Sequence, residues 1–327
     1  MPDRAPTWAA DGPGRPIDYR FPSADLTTLS ERVRATRWPD ELDDEPWVHG
    51  ADLATVRHLA AEWSGPFDWD VVATHLETVL PGRRLEVGGH DIHVVVVPGA
   101  GPAPLPLLLL HGWPSTFAEF HRVVRPLADP GAHGGDPADA FDVIVPSLPG
   151  HGFSSRPRRS GFGADECADV FRDLVVEHLG HDRFAVHGGD RGAFVAAGLG
   201  HRHPAHVVAL HLTLAFGLPG EGDDRSAEED EWLADQARFL AEEGGYSAIQ
   251  GTRPQTLAYA MHDSPVGQLA WIVEKFRSWS DCDGDLARCF TTDELLTVAT
   301  IYWMTDTFRS AAHWYREHRL RPPVAIR

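Results

Sequence analysis

The sequence predicts an α/β protein with a mostly parallel sheet, a helical section before the sheet and a helical insertion near the end. Three observations lead to this prediction. Residues 1–84 place apolar side chains at helical spacing, and from residue 85 short β-branched or leucine-rich runs alternate with helical stretches. From residue 217 to residue 318 the alternation stops and helical patterns follow one another. The 327 residues are enough for a sizeable core.

The N-terminal section is predicted to hold three helices, over Leu26–Thr36, Leu53–Trp63 and Val71–Leu80. Large aromatic side chains accompany them: Trp38, Trp47, Trp63, Phe67 and Trp69. Aromatic residues at this density favour packing against a neighbouring domain, although a ligand surface would look similar.

The following section is predicted to form the sheet. Its strand-like runs are Leu85–Val87, Ile92–Val97, Leu105–Leu110, Phe141–Val145, Phe184–His187 and Val207–Leu212. The helical stretches are Phe117–Leu127 and Cys167–Leu179 among the strands, and Glu228–Glu243, Val266–Trp279 and Asp293–Glu317 after them. The predicted domains are an N-terminal helical section at 1–84, an α/β core at 85–216, a helical lid at 217–318 and a returning core strand at 319–327, begun by Val324–Ile326.

Composition excludes several classes of function. With 48 acidic and 29 basic side chains the net charge is -19, which disfavours a nucleic-acid partner. No phosphate-binding glycine motif and no cluster of His and Cys with metal spacing occurs, so neither a cofactor nor a metal is expected. Three cysteines, no apolar leader and no long apolar run predict a cytoplasmic protein without a membrane anchor. The sequence leaves open whether the protein forms a homo-oligomer.

The sharpest local signal is Gly188-Gly189-Asp190-Arg191-Gly192, which follows a predicted strand and precedes a helix rich in small residues. Small residues at these positions permit the tight turn that lifts a nucleophile above a sheet. The lifted residue here is Asp190, and a carboxylate forms an alkyl ester by displacement at sp3 carbon, as in epoxide opening or dehalogenation. The plainer interpretation is a glycine-rich turn with an aspartate helix cap.

Two further loops follow strands of the predicted sheet. The loop His111-Gly112-Trp113-Pro114 follows Leu105–Leu110, and a loop from residue 146 to 154, PSLPGHGFS, follows Phe141–Val145. The carboxyl ends of parallel strands lie at one edge of a sheet, where ligands of α/β proteins bind. The sequence therefore predicts a site at this edge.

From its N-terminal helices to residue 327 the sequence resembles the microsomal-type epoxide hydrolases, which have the α/β-hydrolase fold. The matching stretches are FDWD at 67–70, the HGWP, PSLPGHGFS and GGDRG loops, GYSAIQGTRPQTLAY at 245–259, DSPVG at 263–267, EKFRSW at 274–279 and TIYWMT at 300–305.

The resemblance implies a role for each of several residues. It makes Asp190 the nucleophile, and it makes Tyr246 and Tyr315 the lid tyrosines that bind the epoxide oxygen and protonate the leaving alkoxide. The backbone amides of Trp113 and Arg191 would form the oxyanion hole. The implied substrate is a small hydrophobic epoxide, with no cofactor. A pair of phenols suits this chemistry because they stay neutral near pH 7 and can donate to an ether oxygen. Tyr259 and Tyr302 are the rival tyrosines.

The sequence departs from the family in two places. Arg191 stands where the family usually has a bulky apolar residue, and a cation there would lower the nucleophilicity of Asp190. The family's partner carboxylate and the histidine that activates water are expected beyond Arg327, so the chain is expected to be C-terminally shortened, with an unpaired sheet edge. The histidines in or beside matching segments are His151, His187, His262 and His313.

Two other functions stay open. One is a different reaction at the Asp190 pocket, dehalogenation or epoxide-directed cyclisation. The other is a binding protein that has kept the fold and lost turnover.

Overall fold

The computed structural model of the protein describes residues 13–214 and 225–322. Within these ranges one sheet of seven strands forms the centre of the molecule. The strands are β1 Arg15–Pro16, β2 Gly82–Val87, β3 His90–Val97, β4 Leu105–Leu110, β5 Phe141–Pro146, β6 Phe184–Gly188 and β7 Val207–Leu212. Their order is β1-β2-β3-β5-β4-β6-β7, in which β5, β4, β6 and β7 run parallel and β1 to β3 pair antiparallel at one side. The predicted α/β-hydrolase fold is confirmed.

Twelve α-helices surround this sheet in the described residues. They are α1 Ser23–Arg34, α2 Leu53–Trp63, α3 Trp69–Val79, α4 Val124–Ala128, α5 Ala164–Asp173, α6 Asp190–Arg202, α7 Ala227–Glu243, α8 Gly245–Thr252, α9 Pro254–Met261, α10 Pro265–Ser278, α11 Thr292–Met304 and α12 Phe308–Leu320. Side chains cap several N-termini. Asp52 accepts a hydrogen bond from the Thr55 amide, and Thr291 and Glu294 form a reciprocal capping box.

The sheet is buried on both faces, because successive side chains of a strand point to opposite sides. In β4, Leu108 and Leu110 pack into one apolar cluster with α5 and α6, while Leu107 and Leu109 pack into another with α3. This double burial explains why the strands appear in the sequence as unbroken apolar runs.

The N-terminal helices pack against the helices that follow the sheet. Leu29 of α1 and Val56 of α2 share a buried cluster with Leu269 of α10 and Leu296 of α11. Trp63 is also buried there, and its indole N–H donates to the Thr300 hydroxyl at 2.9 Å. The predicted packing of the aromatic residues against a neighbouring domain is thus observed for Trp63.

Some predicted helices differ from the observed ones. The single helix predicted for Asp293–Glu317 is wrong, because α11 and α12 are separate and Asp306 between them has a left-handed φ of 57°. The Thr305 hydroxyl donates to the Ile301 carbonyl at 2.6 Å, a local bond that competes with helix continuation. The predicted helix Phe117–Leu127 is a 3-10 turn, Phe117–Arg122, followed by the short α4. Helices α8 and α9 were not predicted, and Val324–Ile326 lies outside the described residues.

Strand β7 lies at the edge of the sheet, and among the described residues it pairs with β6 alone. Its apolar side chains Val208 and Leu210 are 36% and 41% exposed. Across residues 13–214 and 225–322, no helix has the length and apolar character needed to cross a membrane.

Candidate active site

Asp190 lies at the turn between β6 and α6, with a left-handed φ of 45°. The glycines around it keep neighbouring backbone close. A methyl group at Gly192 would overlap the Leu110 carbonyl of β4, and one at Gly189 would lie 2.7 Å from the Thr213 hydroxyl. The turn predicted from the five-residue motif is present, and it lifts Asp190 at the carboxyl edge of the parallel strands.

The loop after β4 contacts Asp190 directly. The backbone amide of Trp113 donates a hydrogen bond of 2.8 Å to Asp190 Oδ1. Gly112 lies so close that an added Cβ would be 2.6 Å from the same oxygen. The Trp113–Pro114 peptide bond is cis. The amide of Arg191 lies in the first turn of α6, where backbone N–H groups have no partner within the helix.

His111 joins this loop to the loop after β5. Its buried ring accepts a hydrogen bond from the Leu148 amide at Nε2, 3.0 Å away, while Nδ1 lies 3.2 Å from the Gly112 carbonyl. Burial lowers the pKa of His111 to about 4, so the imidazole is neutral near pH 7. His111 therefore fixes the loop as a neutral hydrogen-bonding side chain.

Tyr246 of α8 and Tyr315 of α12 belong to the helices that follow the sheet, α7 to α12, which are called the lid here. Their rings contact Trp113 of this loop. Tyr246 stacks on Trp113 with ring centroids 5.3 Å apart and planes within 6°, and Tyr315 meets both rings edge-on at 5.5 and 5.7 Å. Burial raises the pKa of both phenols, and the Asp190 carboxylate raises them further. Tyr315 is 3% exposed, and its hydroxyl faces Arg191 and Tyr246 without a hydrogen bond of ordinary geometry within the described residues.

The rival tyrosines differ from this pair. The Tyr302 hydroxyl donates to the Ser115 carbonyl at 3.0 Å and is therefore already bonded. Tyr259 is 74% exposed on the surface of α9. The structure thus brings Tyr246 and Tyr315 together with Trp113, Asp190 and Arg191.

The Arg191 side chain, whose direction could not be deduced from sequence, lies over a lid tyrosine. Its guanidinium carbon is 3.7 Å from the Tyr315 ring centroid and 5.6 Å from that of Phe194. Arg191 is 8% exposed, and no salt bridge joins it to Asp190 in the described part of the chain. Burial acts to lower the pKa of Arg191, but Tyr315 and Asp190 outweigh burial and leave it above its ordinary value.

Two of the four candidate histidines have carboxylate partners. His262 pairs with Asp306, and His313 with Glu317 at 2.9 Å. These pairs lie within the lid helices and the turn between them, and in the described residues neither histidine forms a hydrogen bond or ion pair with Asp190.

In the described part of the chain, the other two have no carboxylate partner. His187 Nδ1 lies 2.8 Å from His211 Nδ1 on the neighbouring strand. His151 is fully buried beside His111 and Tyr302, and neither of its ring nitrogens has a hydrogen-bond partner in residues 13–214 and 225–322. Burial, followed by His111, lowers the pKa of His151 well below its ordinary value.

A cavity of about 510 Å³ lies beside the site, between the turn after the Trp113 loop and the lid helix α11. Glu119 lines it on the sheet side. The Glu119 side chain is open to water in the cavity, but desolvation by the surrounding protein raises its pKa to about 8; Ser115 lowers the pKa and the Asp190 charge raises it. Sequence reasoning missed Glu119, because one glutamate after the loop has the pattern of a surface residue.

Two further residues beside the site were not singled out from the sequence, although the stretch that contains them was. Lys275 Nζ lies 5.2 Å from the Tyr246 ring centroid and 5.5 Å from that of Trp279. Both Lys275 and Trp279 belong to the EKFRSW stretch that carried the resemblance. In the described ranges, no group of three or more His, Cys, Asp or Glu side chains is arranged to hold a metal ion.

The parallel strands, the tight turn that presents Asp190 and the covering helices define an α/β-hydrolase with a carboxylate at the nucleophile position. Residues 14–120 match the family described as the epoxide hydrolase N terminus, and residues 106–262 match the alpha/beta hydrolase fold.

Relatives extend these matches over nearly the whole chain. A Stigmatella aurantiaca protein described as a candidate epoxide hydrolase is 39% identical, covering 93% of this chain and 69% of the relative. Epoxide hydrolase 1 of Sus scrofa is 32% identical over 97% of this chain and 75% of its own. The solved structure of Aspergillus niger epoxide hydrolase superposes with a TM-score of 0.82 at 30% identity, over 95% of this chain and 80% of that one. The chain belongs to the epoxide hydrolase family.

Proposed function

We propose that this chain opens a small hydrophobic epoxide by attack of the Asp190 carboxylate. An Asp190 oxygen bonds to an epoxide carbon, the carbon–oxygen bond of the ring breaks, and the released oxygen takes a proton from Tyr315 or Tyr246. The product is a hydroxyalkyl ester of Asp190. Water then cleaves the ester, which releases a vicinal diol and restores the carboxylate.

One observation carries the proposal. The Asp190 carboxylate, hydrogen-bonded to the Trp113 amide, lies close enough to both lid tyrosines to raise their pKa, and the buried Tyr315 hydroxyl makes no hydrogen bond of ordinary geometry in the described residues. A buried donor without a partner is costly, so a ligand acceptor at this position would remove the cost. An epoxide oxygen is such an acceptor.

The Trp113 and Arg191 amides are suited to the second step. When water attacks the ester carbonyl, negative charge develops on its oxygen, and backbone N–H groups aimed at that oxygen stabilise it. The Trp113 amide already donates to Asp190 Oδ1. Both amides are proposed as the oxyanion hole.

The surroundings of the site support an apolar substrate. Trp113, Tyr246 and Trp279 form one stacked, one edge-on and one tilted ring pair, with centroids 4.9 to 6.1 Å apart. The adjoining cavity is lined partly by apolar side chains such as Val72, Phe276 and Val298. Sites of this composition bind ligands mainly by apolar contact, with a few polar groups that fix orientation. We also propose a cytoplasmic location, which the free thiols of Cys167, Cys282 and Cys289 support.

Intact-protein mass spectrometry with styrene oxide, with the diol measured in the same sample, tests the proposal. The wild-type protein should gain the mass of one styrene oxide or release diol, and Asp190→Asn should do neither. Asp182→Asn, at a highly exposed carboxylate, is the matched control and should behave as wild type. Equal labelling of wild type and Asp190→Asn would show that Asp190 is not the nucleophile.

The same experiment separates the two half-reactions. A stoichiometric adduct without excess diol means that these 327 residues carry out alkylation but lack a competent base for water. Diol in many-fold excess over protein means that a base is present, and His151 and His187, the two of the four candidate histidines that lack a carboxylate partner in the described residues, would then be replaced first.

A further inference from the structure

The Arg191 side chain is a buried cation with an unusual partner. It stacks on the Tyr315 ring at 3.7 Å, and its Nε, like the Tyr315 hydroxyl, lacks a hydrogen bond of ordinary geometry within the described residues. A buried cation usually has a carboxylate partner. Here the guanidinium lies against the face of the Tyr315 ring, and the hydroxyl of that ring belongs to the proposed site.

Two opposite effects on alkylation follow from a cation at this position. If the guanidinium acts on Asp190, it stabilises the carboxylate and slows attack. If it acts on Tyr315, it stabilises the phenolate that remains after proton transfer, and it speeds opening. The geometry favours Tyr315, because the stacked distance is short and no salt bridge links Arg191 to Asp190 in the part of the chain that the structure describes.

We propose that the Arg191 guanidinium strengthens Tyr315 as the acid that protonates the epoxide oxygen. As the carbon–oxygen bond breaks, its electron pair stays on the oxygen, which takes the proton of the Tyr315 hydroxyl. The negative charge left on Tyr315 lies against Arg191 until water returns a proton. This role of the Arg191 side chain rests on the proposed function and is separate from that of its backbone amide. Arg191 acts through Tyr315 and is a positioning residue.

The surrounding charges agree with this role. Burial and the Asp190 carboxylate raise the pKa of Tyr315 well above its ordinary value, and Arg191 opposes both. Tyr246 also faces Tyr315, with Lys275 behind it. Such a phenol would be a weak acid without the opposing cation.

The histidines that face Arg191 do not complicate a pH profile. Burial, and then the Arg191 charge, lowers the pKa of His318 to about 4, and the pKa of His151 also lies well below its ordinary value. Both rings are therefore neutral between pH 6 and 10, where alkylation would be measured.

The test is a double-mutant cycle on the rate of Asp190 alkylation by styrene oxide, followed by quenched mass spectrometry from pH 6 to 10. Arg191→Met should slow alkylation by about 10-fold or more, and Arg191→Lys, which keeps the charge, should recover part of the loss. In the Tyr315→Phe background the same Arg191→Met change should alter the rate less than about 2-fold, because the acid it supports is absent. Arg57→Met, which removes an arginine stacked 4.9 Å from Trp38, is the matched control.

A second reagent separates the acid from the nucleophile. Phenethyl bromide resembles styrene oxide, but bromide leaves without a proton, so Arg191→Met should slow its reaction much less. A faster reaction of Arg191→Met with both reagents would show that the guanidinium acts on Asp190 instead. Equal slowing in the wild-type and Tyr315→Phe backgrounds would indicate a structural role only. If the wild-type protein is not alkylated at Asp190 at all, the proposed function and this inference are both overturned, whereas equal slowing in the two backgrounds overturns the inference alone.

Discussion

The two walls of the candidate site are held in different ways. The sheet wall, with Asp190 and the Trp113 loop, is fixed by backbone: a main-chain hydrogen bond, glycines in close approach and a buried neutral histidine. The lid wall, with Tyr246 and Tyr315, is fixed by ring contacts, and within the described residues the Tyr315 hydroxyl makes no hydrogen bond of ordinary geometry. The sheet wall is therefore expected to tolerate little change in volume, whereas the lid wall is expected to lose a chemical group and keep its packing.

Removing both lid hydroxyls should have the largest effect. The Tyr246→Phe, Tyr315→Phe double variant keeps the ring contacts but cannot protonate the leaving oxygen, so alkylation by styrene oxide should fall by about 1,000-fold. The rate of adduct formation by mass spectrometry and the melting temperature measure this together. Tyr259→Phe, at the exposed tyrosine, is the control, and an equal loss there would contradict the assignment of the lid wall.

The second-largest effect is expected when a single methyl group is added to the sheet wall. Gly112→Ala would place a Cβ 2.6 Å from Asp190 Oδ1, so the carboxylate or the loop must move. A displacement on the order of 1 Å is expected to lower alkylation by about 100-fold. Gly163→Ala, whose Cβ would meet only ordinary contacts of 3.6 Å or more, is the control. If Gly112→Ala reacts at the wild-type rate, the sheet wall is less rigid than its contacts indicate.

The smallest effect concerns two glutamates that face the same cavity from opposite walls. On the sheet wall, the pKa of Glu119 is raised from 4.5 to about 8, so the folded protein holds a proton that the unfolded chain releases. Stability should therefore decrease as pH rises from about 4.5 to about 8. Glu119→Gln removes this pH dependence. The melting temperature of the variant minus that of wild type should therefore increase as pH rises from about 4.5 to about 8.

Glu294 on the lid wall is the matched control, with the opposite sign. Burial acts to raise its pKa, but hydrogen bonds from Thr291 and His121 outweigh burial, and the pKa lies below its ordinary value. The contribution of Glu294 to folding stability is present above pH 4.5 and disappears as pH falls through the pKa of Glu294 in the folded state. Glu294→Gln should therefore melt below wild type at pH 7, with a difference that shrinks in acid. Parallel pH profiles for the two variants would contradict the contrast between the walls.

The sheet wall could be predicted from local sequence because its signals are local. Leu105–Leu110 and Val207–Leu212 are strands with the predicted bounds, and the glycines beside Asp190 indicate the turn directly. The lid wall was different. A tyrosine on a helix has no local mark of function, so Tyr246 and Tyr315 were reached only through the resemblance, and their roles stay predictions.

Other features could not be predicted because they depend on distant contacts. The raised pKa of Glu119 comes from desolvation by protein on both sides of the cavity that it lines, and the place of the Arg191 guanidinium depends on α12, over a hundred residues away. The break between α11 and α12 was missed for a different reason. Its cause is local, the left-handed φ of Asp306, but the apolar spacing of the sequence continues across this residue.

Trp113 belongs to both walls, and this has a consequence for how the site can evolve. Its contribution to Asp190 is a main-chain N–H, which any residue except proline supplies, while its contribution to Tyr246 is an indole ring, which few residues can replace. A change of side chain at this one position can therefore alter which molecules fit beneath the lid and preserve the hydrogen bond to Asp190. Sites of this kind can therefore diverge in the substrates that they accept and still keep one reaction.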